Sequence, residues 1–293
     1  MINIKLGVIP TRRDIFSKEE ALKYKELILQ KLATMNITFV DIEDANDEGL
    51  LFDDNDVDKV VDKMIKEKVD ALFFPHCNFG TEYLVAQVAK KMNLPILIWG
   101  PRDESPLGDG SRLRDSQCGL FATGKVLRRF RCKFTYLPMC RLEDQEFYEG
   151  IRRFLATVNI IKELKDLTIL QIATRPSGFW TMMVNEGELL EKFNIKIHPV
   201  TLAEVKDEMD AVEQNKKDEV IQVIDYLKKE TIIEISDEAL VKVAALKVAI
   251  KSIAKRYNCK AAAVQCWNAM QGVLGIFPCA ANALLTDEKF PVA

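Results

Sequence analysis

Apolar positions along this chain follow two rhythms. Short unbroken runs, such as "IKLGVIP" (4–10), "VDALFFPH" (69–76) and "PILIWG" (95–100), are separated by longer segments where apolar residues recur every three or four positions. "KEEALKYKELILQKLATM" (18–35) sets Leu22, Leu27, Ile28 and Leu32 at near-helical spacing, with Ser17 ahead of it as an N-cap. Unbroken runs bounded by turn residues predict strands buried on both faces, and the helical period predicts the covering helices. The first set of strands is therefore 4–10, 38–43, 69–76, 95–100 and 134–139, interleaved with helices at 18–35, 57–68, 81–92, 112–131 and 142–164. A second set has strands at 167–174, 195–200 and 261–267, with helices at 180–193, 202–212, 216–229 and 237–257.

This alternation predicts an α/β protein of two consecutive Rossmann-like, three-layer domains with mostly parallel sheets. The boundary falls near residue 165, inside "KELKDLT", giving an N-terminal domain at 1–165 and a second at 166–293. The closing "FPVA" follows a helix and reads as the start of a fourth strand in the second sheet. An apolar strand of four residues leaves a sheet edge partly unpaired. The second sheet is thus expected to be incomplete at the C-terminus, and the chain truncated.

Composition narrows the class. At 293 residues, 48% hydrophobic and 29% charged, the chain suits two globular domains and no long disorder. Its net charge of −3, from 44 acids against 41 bases, offers no basic excess for nucleic acid or a membrane surface. The N-terminal apolar stretch is too short, and too soon followed by Arg12, Arg13 and Asp14, to be a signal peptide. No apolar segment reaches the roughly 18–20 residues of a membrane span. A cytoplasmic protein is expected. Seven scattered cysteines without a CxxC pair argue against a disulfide framework and structural zinc.

Ligands of open α/β sheets bind beyond the carboxyl ends of the strands. Five loops there carry unusual residues: "PTRRD" (10–14), "PHCNFGTE" (75–82), "WGPRDESPLGDGSR" (99–112), "TRPSGFW" (174–180) and "QCWNAMQG" (265–272). Arg12 and Arg13 read equally as solvated surface charge or as ligand contacts. "NFGTE" is either a turn with Thr81 capping the next helix, or a helix start whose N–H groups meet a hydroxyl or an anion. Arg175 either binds ligand or pairs with an acid. His76, at a strand end, is placed to face a cleft, whereas His198 inside "IKIHPV" reads as structural. Neither makes a metal site, and no HxxxH or HExxH spacing exists. Cys77 has no evident base beyond His76, and adjacent residues on an extended segment point apart. The residues alone stop at a two-domain α/β protein with a polar, Arg- and Trp-bearing cleft.

Taken together, the loops resemble a known family, the metal-dependent ketol isomerases of the L-fucose isomerase/L-arabinose isomerase fold. "GVIPTRRD" is similar to that family's opening strand and Arg-bearing loop, and "NFGTEYLVAQVAKKMNLPILIWG" to its N-G-T-E helix and following strand. "TRPSGFWTMMVNEGELLEKFNIKIHPVTLAEV" resembles the entry to the second domain. "AAAVQCWNAMQGVLGIFPCAANALLTDEKFPVA" resembles the strand and helix leading to the catalytic acid. The resemblance implies aldose–ketose interconversion through an enediol, with Mn²⁺ or another divalent metal polarising the carbonyl. It places the metal-binding carboxylates just after the segment matching "FPVA" and a histidine on a third, β-rich domain. No catalytic residue, bound cofactor or metal ligand is then expected within this chain, which would be inactive alone.

What remains is expected to hold the sugar: Arg12, Arg13, Asn78 and Glu82 in the first domain, and Arg175, Gln265 and Trp267 in the second. Gln265 can both donate to and accept from hydroxyls. Trp267 is placed either to stack on a sugar face or to sit in the core. The resemblance also implies a homo-oligomer, a trimer or hexamer, with no nucleic-acid or membrane partner. One departure is informative: beside the N-G-T-E element this chain has His76, Cys77 and Phe79 where fucose-type enzymes have an aromatic. That departure counts against fucose itself; Arg12, Arg13 and Arg175 together would suit an anionic sugar, a phosphate, sulfonate or uronate, and the residues leave neutral and charged sugars both open. The alternative reading is a non-catalytic, sugar-binding or sensory protein of two α/β domains.

Overall fold

The computed structural model describes residues 3–293, so the signal-peptide reading, which includes Met1 and Ile2, lies partly outside the described residues. The chain divides into two compact units, with the division after Lys162. Among the described residues no helix is long and apolar enough to cross a membrane.

Unit 1 is built on five parallel strands: β1 (Leu6–Val8), β2 (Phe39–Val40), β3 (Ala71–Pro75), β4 (Ile96–Trp99) and β5 (Phe134–Tyr136). Their order is β2-β1-β3-β4-β5, with Leu6 in register with Ala71 and Leu72 with Ile96. β3 and β4 are buried at every position, which is why they are continuous apolar runs in sequence rather than alternating ones. The two-residue period still sorts the side chains. Leu6, Val8, Phe73, Leu97 and Trp99 enter a core with α1 (Lys18–Thr34) and α5 (Gln145–Leu164). Leu72, Phe74, Ile96 and Ile98 enter a second core with α2 (Asp56–Lys66), α3 (Glu82–Met92) and α4 (Ser116–Arg129). This is the expected three-layer arrangement.

Helix ends follow local chemistry. Ser17 accepts from the Glu20 amide at 3.1 Å and caps α1 as expected. The segment 112–131 starts its helix only at Ser116, because both carboxylate oxygens of Asp103 accept from the Ser116 and Gln117 amides, at 3.0 and 3.1 Å.

Unit 2 has three parallel strands, β6 (Thr168–Ile172), β7 (Lys196–Val200) and β8 (Ala261–Val264), in the order β7-β6-β8. One core joins Leu170 and Ile172 to α7 (Leu202–Asn215), α8 (Lys217–Glu230) and α9 (Asp237–Arg256). The run Ala244–Ile250 of α9 is buried throughout. Two shorter helices follow, α10 (Ala269–Leu274) and α11 (Cys279–Asp287). The single helix expected at 180–193 is instead a 3-10 turn, Trp180–Met182, followed by α6 (Glu186–Phe193). Asn185 causes the break, since its side chain accepts from the Glu188 amide and starts α6 afresh. α6 buries no residue, so the layer on its side of the sheet is thin.

The terminal "FPVA" does pair as expected. Ala262 N–H donates to Pro291 O at 3.0 Å, Ala293 N–H to Ala262 O at 3.0 Å and Val264 N–H to Ala293 O at 2.8 Å. The resulting bridge between Ala262 and Val292 is parallel, so residues 291–293 lie paired alongside β8.

Phe147 is fully buried and lies 4.7 Å, centroid to centroid, from Trp99. Phe147→Ala is expected to lower stability by about 3–5 kcal/mol in denaturant titration, and Phe147→Leu by less than about 1.5 kcal/mol.

Candidate functional site

The order β2-β1-β3-β4-β5 reverses direction between β1 and β3, and ligand crevices of such sheets open at that point beyond the carboxyl ends. Two loops meet there, 9–14 after β1 and 76–81 after β3. The strands would leave their last amides and carbonyls unpaired, and short side chains take them up. Thr11 N–H donates to Pro75 O at 3.0 Å and Cys77 N–H to Thr11 O at 3.0 Å. The Thr11 hydroxyl donates to Leu51 O at 2.8 Å and accepts from Thr81 N–H at 3.0 Å.

Thr81 does not cap α3 through its side chain; its hydroxyl donates to Arg12 O at 2.6 Å instead. Asn78 completes the knot. Its Oδ1 accepts from the amides of Arg13 and Gly80 at 2.8 and 3.2 Å, and its Nδ2 donates to Arg13 O and Ser17 O at 3.2 and 3.3 Å.

Two glycines make room for this loop. Gly80 has φ +78°, and a Cβ there would lie 2.4 Å from His76 Nδ1. A Cβ on Gly119 of α4 would lie 1.7 Å from Phe79 O. Neither position accepts a side chain without moving the loop.

His76 does not face a cleft: it is fully buried. Its Nδ1 donates to Phe79 O at 2.7 Å, and its Nε2 has no partner among the described residues. Burial holds its pKa down at about 4, against the opposing bond to Phe79. Burial likewise pushes the Cys77 thiol up to about 12, which removes it as a nucleophile at neutral pH. All seven cysteines are free.

The adjacent arginines separate. Arg12 is 5% exposed; its Nε and Nη2 donate to Glu48 at 2.6 and 3.0 Å, it pairs with Asp14, and it stacks 3.8 Å over Phe52. Burial opposes its charge, but the bonds to Glu48 and Asp14 outweigh burial and raise its pKa. Glu48 is shared with Lys18 at 2.7 Å. Arg12 and Asn78 are therefore committed within the unit and offer a ligand no free polar atom. Arg13 and Glu82 pair with each other and keep side-chain exposures of 28% and 25%. Arg13 also lies 4.6 Å over Phe79, which stacks on Phe16 at 5.3 Å. Thr11, Phe16 and Glu48 belong to this site and were missed in the sequence. The acidic stretch around Glu48 was the available signal for a partner to Arg12.

In unit 2 the loops after β6 and β8 meet. Gln265 N–H donates to Ile172 O at 3.0 Å, and its Oε1 accepts from Thr174 N–H at 3.2 Å. Trp267 is 60% exposed and meets Phe179 edge-on at 5.2 Å, so it is not a core residue. Arg175 is exposed, pairs with no acid among the described residues, and curls its Nη1 onto Pro176 O and Ser177 O at 3.2 and 3.1 Å. His198 stacks on Tyr257 at 3.8 Å, in keeping with a structural role. The Thr201–Glu204 pair forms a capping box for α7. Among the described residues no three His, Cys, Asp or Glu side chains are grouped to hold a metal ion.

The His76 geometry predicts a pH effect. Its folded pKa lies below its ordinary 6.5, so the unfolded chain binds the extra proton between those values. Its contribution is fully present above about pH 6.5 and is lost as pH falls toward 4, by roughly 3 kcal/mol in all. His76→Asn keeps a donor for Phe79 O and removes the titration. Urea unfolding of both proteins at several pH values should show a shallower acid decline for the variant; equal declines would contradict the assignment.

Comparison with known proteins places the chain. Residues 7–165 match the model of the fucose/sulfoquinovose isomerase N-terminal domain. Sulfoquinovose isomerases of Priestia aryabhattai and Priestia megaterium (strain ATCC 12872 / QMB1551) are each 23% identical over 290 residues, 98% of this chain and 62% of theirs. That of Alkalicoccus urumqiensis is 22% identical over 222 residues, 75% of this chain and 48% of its own. The chain thus spans less than two thirds of the length of these relatives. A solved ABC transporter periplasmic solute-binding protein from Actinobacillus succinogenes 130z, with bound D-allose, aligns over 98% of this chain and 84% of its own. Its identity is 13% and its TM-score 0.24, too low to carry weight. On the match of its first 7–165 residues, the chain belongs to the fucose/sulfoquinovose isomerase family.

Proposed function

We propose that this chain is the sugar-holding portion of an aldose–ketose isomerase acting on a sulfonated aldose, with sulfoquinovose as the first candidate. The observation that carries the reading is the similarity to sulfoquinovose isomerases over 98% of the chain. The exposed Arg175 of unit 2 supports the anionic substrate. Arg175, unpaired by any described acid, takes the sulfonate through charge-assisted hydrogen bonds. Arg13, held by the Thr11–Asn78–Thr81 knot, presents a guanidinium with its orientation already fixed. The Gln265 amide meets sugar hydroxyls, and the exposed Trp267 ring offers an apolar face to the pyranose. Arg12 and Asn78 act as positioning residues that hold Arg13 in place.

The described side chains do not fit a divalent metal site, so no step is assigned here to Mn²⁺. The proton transfer through an enediol, and the metal the resemblance implies, belong in this reading to residues following Ala293. The relatives extend well past the length matched here. The 293-residue chain alone then leaves sugar unconverted, and the extended protein works as a cytoplasmic homo-oligomer, a trimer or hexamer.

An assay of the extended protein with Mn²⁺, following aldose and ketose by NMR, tests this with sulfonated, phosphorylated, uronate and neutral sugars. Conversion of the sulfonated aldose is expected to dominate. Arg175→Ala should raise its KM by about tenfold or more, the loss of one charge-assisted bond. A strict preference for neutral aldoses would remove the sulfonate assignment.

A further inference from the structure

The β5 edge of unit 1 carries positive charge that no described carboxylate answers. Lys125, Arg128, Arg129, Arg131 and Lys133 lie between positions 125 and 133 in a chain of net charge −3. All five are exposed. Among the described residues none joins an ion pair. Several other lysines of unit 1 do find acids: Lys63 meets Asp41 and Asp44, and Lys91 meets Asp58.

Beside these cations runs a groove of about 630 Å³, with Ile98, Leu120, Phe121, Phe134 and Tyr136 on its wall. Lys125, Arg128 and Arg129 also line it. Phe121 and Tyr136 remain 62% and 42% exposed. Phe121, Lys125 and Arg128 are spaced i, i+4, i+7 and form one stripe of α4. Phe134 and Tyr136, two residues apart on β5, share one face of the strand. β5 pairs with β4 on one side and is the last strand of the sheet, so its outer backbone edge is open.

We propose that this edge docks an extended acidic peptide segment of a partner protein. The segment adds its backbone to β5, seats an apolar side chain between Phe121 and Tyr136, and sets carboxylates against Lys125, Arg128 and Arg129. An open strand edge offers hydrogen bonds that only a polypeptide backbone uses in register. The aliphatic part of the groove, Ile98 and Leu120, likewise suits a side chain better than a phosphate. Nucleic acid would use the cations alone. The surface is independent of the sugar reading, since it shares no residue with it.

Fluorescence anisotropy on the 293-residue chain tests the proposal with three labelled probes: a peptide alternating glutamate and leucine, an oligoglutamate, and a single-stranded oligonucleotide. The alternating peptide is expected to bind saturably, more weakly as salt rises, and better than oligoglutamate. The double variant Arg128→Glu, Arg129→Glu should weaken it by about tenfold or more. Phe121→Ser should weaken the alternating peptide while leaving oligoglutamate unchanged. Lys228→Glu with Lys229→Glu, on α8, should change nothing. The proposal is overturned if no probe binds saturably, if oligoglutamate equals the alternating peptide, if the oligonucleotide binds most tightly, or if the Arg128/Arg129 variant binds like the parent.

Discussion

Where parallel strands stop, their last amides and carbonyls must find partners or lose the bonds that water would have given them. In unit 1 that requirement is met by three short polar side chains. Thr11, Asn78 and Thr81 make seven hydrogen bonds to backbone groups, five of them between the segments that follow β1 and β3. All three are buried, so each bond is made in a low-dielectric setting where an unmade one is costly. The knot fixes the path of two loops at the reversal point of the sheet. Every feature of the candidate site in this unit depends on it.

The consequence for chemistry is a division of labour between neighbours in sequence. Arg12 turns inward, where Glu48 and Asp14 neutralise it and tie the segment after β2 to the site. Arg13 turns outward over the stacked Phe79 and Phe16, and its backbone is gripped by Asn78 on both sides. Its guanidinium pairs with Glu82, so backbone and side chain of Arg13 are both held in one orientation. The two loops of unit 2 are joined by fewer bonds: Gln265 N–H to Ile172 O, Thr174 N–H to Gln265 Oε1, and one aromatic contact. Trp267 and Arg175 stay exposed there.

Much of this was legible in the sequence. The buried parallel strands declared themselves as unbroken apolar runs, and α1 and α5 by their period. The five loops were found because strand ends are predictable once strands are. What stayed hidden required long-range partners. Arg12 and Arg13 look alike until Glu48, 36 positions away, is seen to claim one of them. Thr81 sits where a cap belongs, yet the buried carbonyl of Arg12 outcompeted the helix amide for its hydroxyl. The break at Asn185 was missed because the hydrophobic period runs through it. His76 was expected at a cleft because it ends a strand, but the lid over it is Gly80, Gly100 and α4, which only the folded chain brings together.

The central claim is that the knot makes these loops as rigid as the sheet itself. Site-resolved hydrogen exchange at the amides of Arg13, Gly80 and Thr81 tests it most directly, because each donates to a knot side chain. Protection close to that of the β3 and β4 amides, and its loss throughout the set in Asn78→Ala, is the predicted result. Exchange at the rate of exposed loops in the parent protein would contradict the account.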